Sequence, residues 1–317
     1  MNVLIFGKDG QLGKAFKSLF DALPLTKDVV IRCVGRVDCD ISNELALNKL
    51  LEQFAPDLIV NAAAYTAVDK AETERALAYA VNARAPELMA IYAAKMGATL
   101  LHYSTDYVFD GCKKEPYSES DVCAPLGAYG ESKLAGEVAI KNAFKNSRSG
   151  QYAILRTSWV YGEGANFIRT ILRLAKECDQ LRVIHDQHGV PTNASWLARV
   201  GLDLILDQKL QLKPFVSGVY HAVPNGETTW YGLTKLAIQT ARDCGVALKV
   251  ESDAVMPILA VEYPLPAPRP QNSRLNNSKL HILMEREDDV TKLQHLDIPW
   301  EDDVRKYVRK LTQDGLI

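Results

Sequence analysis

Tyr129 and Lys133 stand four residues apart in the segment YGESK. On a helix, positions i and i+4 share a face, so this phenol and ammonium would meet at one place. A carbonyl reductase needs that pair: the phenol gives a proton to the ketone oxygen, and the cation lowers the phenol's pKa. The spacing recurs at Tyr231 and Lys235 in YGLTK, so spacing alone does not decide between them. Context does. Tyr129 follows a strand-like run that ends in Ser104 and Thr105, and it lies in the half of the chain that opens on a glycine-rich turn. One of those hydroxyls would hydrogen-bond the carbonyl while Tyr129 protonates it and Lys133 bonds a nicotinamide ribose. Asp106 and Tyr107 read equally as substrate contacts or loop residues. His102 and His188 read as structural, because nothing in this chemistry requires them.

The partner of such a site is a dinucleotide. Gly7-x-x-Gly10-x-x-Gly13 falls where a first strand turns into a first helix, a place where the backbone must approach a pyrophosphate closely. Gln11 and Leu12, at the start of that helix, belong to the same expected site. An acidic residue at the end of strand two would suit the ribose of NAD, but VIRCVGR ends in Gly35 and Arg36. An arginine there suits a 2′-phosphate, which favours NADP(H), with NAD(H) the alternative. Asp40 and Ile41, taken to follow a further short strand, would clasp the adenine. Ala62, Ala63 and Ala64 are small enough for the cofactor to lie over the strand ends, or are simply close-packed core.

Positioning these residues requires a particular order of elements. Strand-like runs at Asn2–Phe6, Val29–Val34, Asp57–Val60, Thr99–Ser104 and Tyr152–Val160 alternate with helical spacing at Leu12–Phe20, Glu44–Phe54, Glu72–Met96 and Leu126–Phe144. Pro86 divides or starts a helix within the third of these. The alternation predicts an α/β fold, a Rossmann-type doubly wound parallel sheet. Beyond about residue 163 the texture changes to helices at Asn166–Glu177 and Ala194–Leu206 and short strands at Leu181–Ile184 and Gly218–Ala222. Val255–Pro270 is proline-rich and reads as an irregular surface segment. A last helix near Trp300–Leu311 opens on Glu301, Asp302 and Asp303, which suit its positive end. The chain thus divides into a dinucleotide-binding domain over residues 1–162, with some later segments returning to it, and a smaller α+β substrate-binding domain over most of 163–317.

Composition narrows the class further. With 317 residues, 37 Lys plus Arg against 39 Asp plus Glu and 47% hydrophobic residues, the chain reads as globular and near neutral. That balance argues against nonspecific binding of nucleic acid or anionic membranes. Six scattered cysteines form no CxxC pair and have no metal-ligand spacing with histidine, so reduced structural thiols are expected. MNVLIFG reads as a strand rather than a leader, and no apolar run is long enough to cross a bilayer, so a cytoplasmic protein is expected.

Longer blocks carry a family likeness. GKDGQLG at Gly7–Gly13, NAAAYTAVDKAE at Asn61–Glu72, STDYVFDG at Ser104–Gly111 and YGESKLAGE at Tyr129–Glu137 are joined by RTSWVYG, DQHGVPT, GVYHAVPNG and RPQNSRL, the last at Arg269–Leu275. Together they resemble the dTDP-4-dehydrorhamnose reductases, extended short-chain dehydrogenases of deoxysugar synthesis. The resemblance implies reduction of the C4 ketone of dTDP-4-dehydro-L-rhamnose. It implies Tyr129 as proton donor, Lys133 as its partner, Thr105 as the triad hydroxyl, Asp106 beside the sugar and Trp159 packed against it. Apart from the family, Trp159 reads equally as a sugar-stacking ring or a core tryptophan at a strand end.

Arg269 and Arg274 are candidates for the nucleotide diphosphate, Arg269 the preferred one, because guanidinium forks match phosphate oxygens; either could instead tie the two parts together. The chain departs from the family around Leu23–Asp38, which puts the cofactor preference in doubt and not the reaction. Some members of the family are magnesium-dependent dimers. No carboxylate spacing here points to a metal, so no metal site is expected, and a homodimer has no legible surface patch. Two alternatives share the fold: a reductase of another nucleotide-linked ketosugar, such as a talose-series compound, and an NADP-binding regulatory subunit like that of methionine adenosyltransferase.

Overall fold

The computed structural model describes residues 1–24, 28–147, 149–285 and 295–317; residues 25–27 of the family-divergent segment fall outside it. Five apolar runs form strands β1 (Asn2–Phe6), β2 (Val30–Val34), β3 (Leu58–Asn61), β4 (Thr99–Thr105) and β5 (Gln151–Thr157), and Gly218–His221 adds a sixth beside β5. The sheet order is Gly218–His221, β5, β4, β3, β1, β2, and all neighbours run parallel. Every residue of β4 is buried, as are Val3–Phe6 of β1, because helices cover both faces; that is why these strands read as continuous apolar runs without alternation. The chain leaves β1 in one direction to β2 and in the other to β3. Their carboxyl ends therefore splay at the β1/β3 boundary, the place where such sheets bind ligands.

Helix α1 (Gln11–Ala22) and the later helix Ala194–Ile205 share one core with one face of the sheet, through Phe16, Phe20, Trp196 and Leu197. On the other face lie α2 (Glu44–Phe54), α5 (Ala85–Met96) and α6 (Ala128–Phe144), with Leu47, Leu51, Met89, Ala93, Ile140 and Phe144 in contact with the strands. Segments beyond residue 162 thus build part of the sheet and of its cover.

The expected helix over Glu72–Met96 is broken into short pieces. Val68–Ala71 (α3) and Arg75–Tyr79 (α4) precede a π-helical turn, Ala80–Arg84, that runs into α5 just before Pro86. The wider turn inserts Asn82 inward. Its amide accepts from Tyr65 N at 2.8 Å, and donates to Tyr65 O and to Ser132 Oγ on α6, both at 3.0 Å. Helix α6 has no capping side chain of its own, and Glu72 Oε1 accepts from Ala128 N at 2.9 Å instead. Gly130 lets the helix start lie against the end of β4: a Cβ there would meet Tyr107 O at 2.2 Å. Further along, Glu137 of α6 and Arg156 of β5 form a fully buried bidentate pair at 2.8 and 2.6 Å. Removing one member would cost about 3–5 kcal/mol.

A second core gathers the helices Phe167–Glu177, Trp230–Asp243 and Trp300–Gln313. The helix Trp230–Asp243 has no counterpart among the sequence expectations; it starts where Thr229 caps Gly232 N at 3.1 Å. The proline-rich run is not wholly irregular, since Val255–Ile258 pairs in parallel with Leu181–Ile184. Pro257 is tolerated because this two-stranded ribbon consists of edges.

Candidate active site

The first strand ends in Phe6, and the chain turns at Gly7 with φ +87°, a backbone conformation that strains any residue with a Cβ. A Cβ at Gly7 would also meet Ala63 N at 2.7 Å, and one at Gly13 would meet Gly7 O at 2.0 Å. The turn is therefore clamped between the β3 extension and α1. Gly10 is the N-cap of α1, without a side-chain cap and with no acidic residue in the first turn. The first amides of that helix face outward with the positive end of its dipole, the arrangement that holds a pyrophosphate.

A cleft of about 1100 Å³ opens over this turn and the carboxyl ends of β1, β3 and β4. Its lining includes Gly7, Gly10, Gln11, Leu12, Arg36, Asp40, Ile41, Ala62, Ala63 and Ala64, and also Thr105, Asp106, Tyr129, Lys133 and Trp159. Three of the site candidates read from the sequence, Gly13, Arg269 and Arg274, are not in its wall. Gly13 is buried behind the turn, where it serves packing. Arg269 donates to Asp69 Oδ1 at 2.9 Å and to Ala267 O at 3.0 Å, so its guanidinium ties the proline-rich run to α3. Arg274 is likewise engaged, with Glu227 and Asn272.

No further strand lies between β2 and Asp40. Residues 35–43 form turns in which Asp38 N and Cys39 N both donate to Gly35 O, at 3.1 and 3.0 Å. Asp38 accepts from Gly35 N at 2.8 Å and pairs with Lys8, while Asp40 is held by the Ser42 amide and hydroxyl. Arg36 is 76% exposed, and its ion pair to Asp40 is long at 3.4 Å.

The reacting half is largely buried. Ser104, Thr105 and Asp106 are buried, and Tyr129 is half-buried with its ring edge-on to Tyr107 at 5.5 Å. Thr105 Oγ1 donates to Asp106 Oδ1 at 2.9 Å. Burial pushes the Tyr129 phenol up to about 12; hydrogen bonding from Thr105 favours the ionised form, and the Asp106 charge opposes it. Burial also raises the Asp106 carboxyl to about 6, against hydrogen bonds from Ser273 and Thr105. Asp106 Oδ2 and Ser104 Oγ, both buried from solvent, have no partner among the described residues, although both residues border the cleft.

Lys133 differs from expectation. Its Nζ donates to Tyr103 O at 2.6 Å and lies 3.4 Å from His102 Nε2. Burial lowers it to about 8, with Glu137 acting the other way. Its charge is not among the influences on Tyr129, whose acidity is governed by burial. His102, expected to be merely structural, is the imidazole against this lysine, whereas His188 is exposed, on a short ribbon with Thr229. The strand alternation carried the signal for His102, since it shares a β4 face with Ser104.

Trp159 sits at φ +46° and stacks on Trp230, with ring centroids 3.7 Å apart and planes at 16°. Phe167 packs on Trp230 at 4.6 Å, and all three line the cleft. Trp230 went unnoticed in the sequence because the helix it begins was not expected. Among the described residues no group of three or more His, Cys, Asp or Glu could hold a metal, and no helix is long and apolar enough to cross a membrane.

A doubly wound parallel sheet with a glycine turn at its switch point, and Thr, Tyr and Lys gathered over the next strand end, defines a dinucleotide-dependent oxidoreductase of the short-chain type. The model of the RmlD substrate binding domain matches residues 1–312. The dTDP-4-dehydrorhamnose reductase of Escherichia coli (strain K12) is 44% identical over 289 residues, which cover 88% of this chain and 90% of that one. The crystal structure of such a reductase from Clostridium acetobutylicum superposes with a TM-score of 0.83 at 36% identity, covering 98% of this chain and 100% of the other. One from Bacillus anthracis, solved in complex with NADP, gives 0.79 at 32% identity over 97% and 98%. The chain belongs to the dTDP-4-dehydrorhamnose reductase family.

Proposed function

We propose that the chain reduces the C4 ketone of dTDP-4-dehydro-L-rhamnose to dTDP-L-rhamnose with NADPH, Tyr129 giving the proton. The observation that carries this is the gathering of Thr105, Tyr129 and Lys133 in one cleft with the glycine turn. The dihydronicotinamide, when bound, supplies the hydride. The protein's own part is alignment, proton supply and exclusion of water.

Tyr129 keeps its proton at neutral pH because burial disfavours tyrosinate, so it enters each turnover loaded as an acid. Thr105 turns its hydroxyl from Asp106 Oδ1 to hydrogen-bond the carbonyl oxygen. Asp106 borders the cleft, and a small turn of its buried carboxylate would let Oδ2 accept a sugar hydroxyl. The Lys133 ammonium, held on the Tyr103 carbonyl, would bond the nicotinamide ribose of the bound dinucleotide. The open end of α1, with Gly7, Gly10, Gln11 and Leu12, takes the pyrophosphate, and Ala62–Ala64 floor the dinucleotide. Arg36, exposed at the rim of the cleft, reaches the 2′-phosphate. The NADP in the Bacillus anthracis relative supports that preference. Residues 1–162 with the later returning segments serve the dinucleotide, and most of 163–317, with Trp159, serves the nucleotide sugar.

The test is NADPH consumption with dTDP-4-dehydro-L-rhamnose made in situ, NADH run alongside, for wild type and Tyr129→Phe. Turnover with NADPH that disappears in the variant, while NADPH still binds, is the expected result. A variant that still turns over removes Tyr129 from its role. Oxidation only with a talose-series substrate, judged from the product's stereochemistry, moves the substrate assignment.

A further inference from the structure

Behind the cleft a polar chain runs away from Lys133 through the sheet. Asn61 and His102 are in-register neighbours on β3 and β4, and with Lys133 they are almost wholly buried, at 1%, 0% and 2% exposure. Asn61 Nδ2 lies 3.0 Å from His102 Nδ1, and Asn61 Oδ1 accepts from Ala63 N at 3.3 Å. That second contact orients the amide. A backbone N–H can only donate, so the end of Asn61 facing Ala63 is its carbonyl and the end facing His102 is its NH2 group. The imidazole, buried and neutral, must accept at Nδ1. Its proton is then on Nε2, which points at Lys133 Nζ 3.4 Å away.

An ammonium has only donors and meets this N–H proton to proton. A neutral amine has a lone pair that accepts from Nε2–H and can still donate to Tyr103 O. We propose that His102, locked as the Nε2–H tautomer by Asn61 and the Ala63 amide, is a positioning residue that destabilises the Lys133 ammonium and so makes it a ready proton donor. Other groups around the lysine act differently. Glu137 on its own helix favours the charge but is itself neutralised by Arg156 of β5. Tyr129 is on the same helix and Asp106 at the end of β4. From the packing helices, Asn82 bonds Tyr65 and, on α6, Ser132, and Arg75 pairs with Glu131 at the surface. Among these groups, His102 alone presents an N–H to Nζ. The functional consequence rests on the reductase assignment: a lysine that releases its proton easily can help restore the proton that Tyr129 gives up.

The experiment uses the full chain labelled with ¹⁵N-histidine and ¹³C-lysine. Imidazole nitrogen shifts should place the His102 proton on Nε2, with its signals identified by their loss in His102→Leu; a proton on Nδ1 overturns the proposal. Asn61→Asp then replaces the NH2 donor by an acceptor, which moves the imidazole proton to Nδ1 and turns a lone pair toward Lys133. The Lys133 titration, followed at its ε-carbon, should rise by about one pH unit or more. In a His102→Leu background the same substitution should move it less than half as far. An equal shift without the imidazole means that the new carboxylate acts through space, and the proposal fails. The alkaline limb of kcat should follow the ε-carbon titration. These signals need no turnover, so an inactive enzyme with the predicted tautomer would sink the reductase assignment alone, and an active one with the opposite tautomer would sink this proposal alone.

Discussion

Tyr129 with Lys133 and Tyr231 with Lys235 have the same residue types, the same four-residue offset and a helix each, α6 and Trp230–Asp243. Their surroundings are opposite. Lys133 is buried between a carbonyl and an imidazole and is lowered to about 8. Lys235 lies over the Tyr231 ring at 5.8 Å and pairs with the exposed Asp253, which raises it. The offset guarantees only that two side chains share a helical face. What that face looks onto decides whether the pair can do chemistry: the carboxyl end of β4 for one, the turn Ser252–Ala254 for the other.

The contrast breaks most sharply at the phenols. Tyr129→Phe should lower kcat by roughly 10²–10⁴-fold, the usual worth of a positioned acid, while Tyr231→Phe should stay within a factor of about two of wild type. Equal losses in steady-state NADPH oxidation would mean that the two sites had been wrongly told apart. The lysines follow. Lys133→Met should cost on the order of 10²-fold in kcat and Lys235→Met almost nothing. Lys133 also gives the wild type a pH signature. Its ammonium is present below about 8 and is lost as pH rises through that value, so kcat should be level at neutral pH and fall on the alkaline side. Tyr129, at about 12, keeps its proton throughout that range. The limb should survive in Lys235→Met, whose lysine is displaced upward and not downward.

Arginines repeat the lesson at smaller scale. Arg36 is exposed at the cleft rim and loosely paired, whereas Arg269 is 16% exposed and fixed on Asp69. Arg36→Ala should weaken NADPH binding by about tenfold and leave NADH unchanged, as expected when one charge-assisted phosphate contact is lost. Arg269→Ala should change neither affinity and should instead loosen the proline-rich run. Titration of cofactor fluorescence with both dinucleotides separates the outcomes, and a parallel loss of NADH would take Arg36 away from the 2′-phosphate.

What the sequence disclosed follows the same division. Local patterns were legible: buried parallel strands as unbroken apolar runs, the glycine turn at the end of β1, and the Ser104–Thr105 pair at the end of β4. Even the later helix Ala194–Ile205 and strand Gly218–His221 stood out as elements, although only the fold shows them packing on α1 and β5. Partnerships across the chain were hidden. Nothing near Arg269 in the sequence announces Asp69, 200 residues away, and nothing near Lys133 announces that its ammonium lies on the Tyr103 carbonyl and beside His102. The π-helical turn before Pro86 was equally silent, because it is set by Asn82 reaching Tyr65 and Ser132 and not by local propensity.

Trp230 is the smallest and most specific test of that division, because it belongs to the helix that carries the inert Tyr-Lys pair yet reaches the active cleft. Its indole covers one face of Trp159, which is held at a positive φ that costs about 1–3 kcal/mol and needs support from its neighbours. Stacked pairs of this kind are worth about 0.5–1.5 kcal/mol. Trp230→Ala should therefore free Trp159 to tilt and raise the KM for the nucleotide sugar by about three- to tenfold, with kcat and NADPH affinity nearly unchanged. Trp230→Phe, which keeps a stacking face, should recover most of that loss. If instead Trp230→Ala lowered kcat alone, Trp159 would be aligning the sugar for hydride transfer rather than binding it, and the helix counted as inert would be contributing to the chemical step.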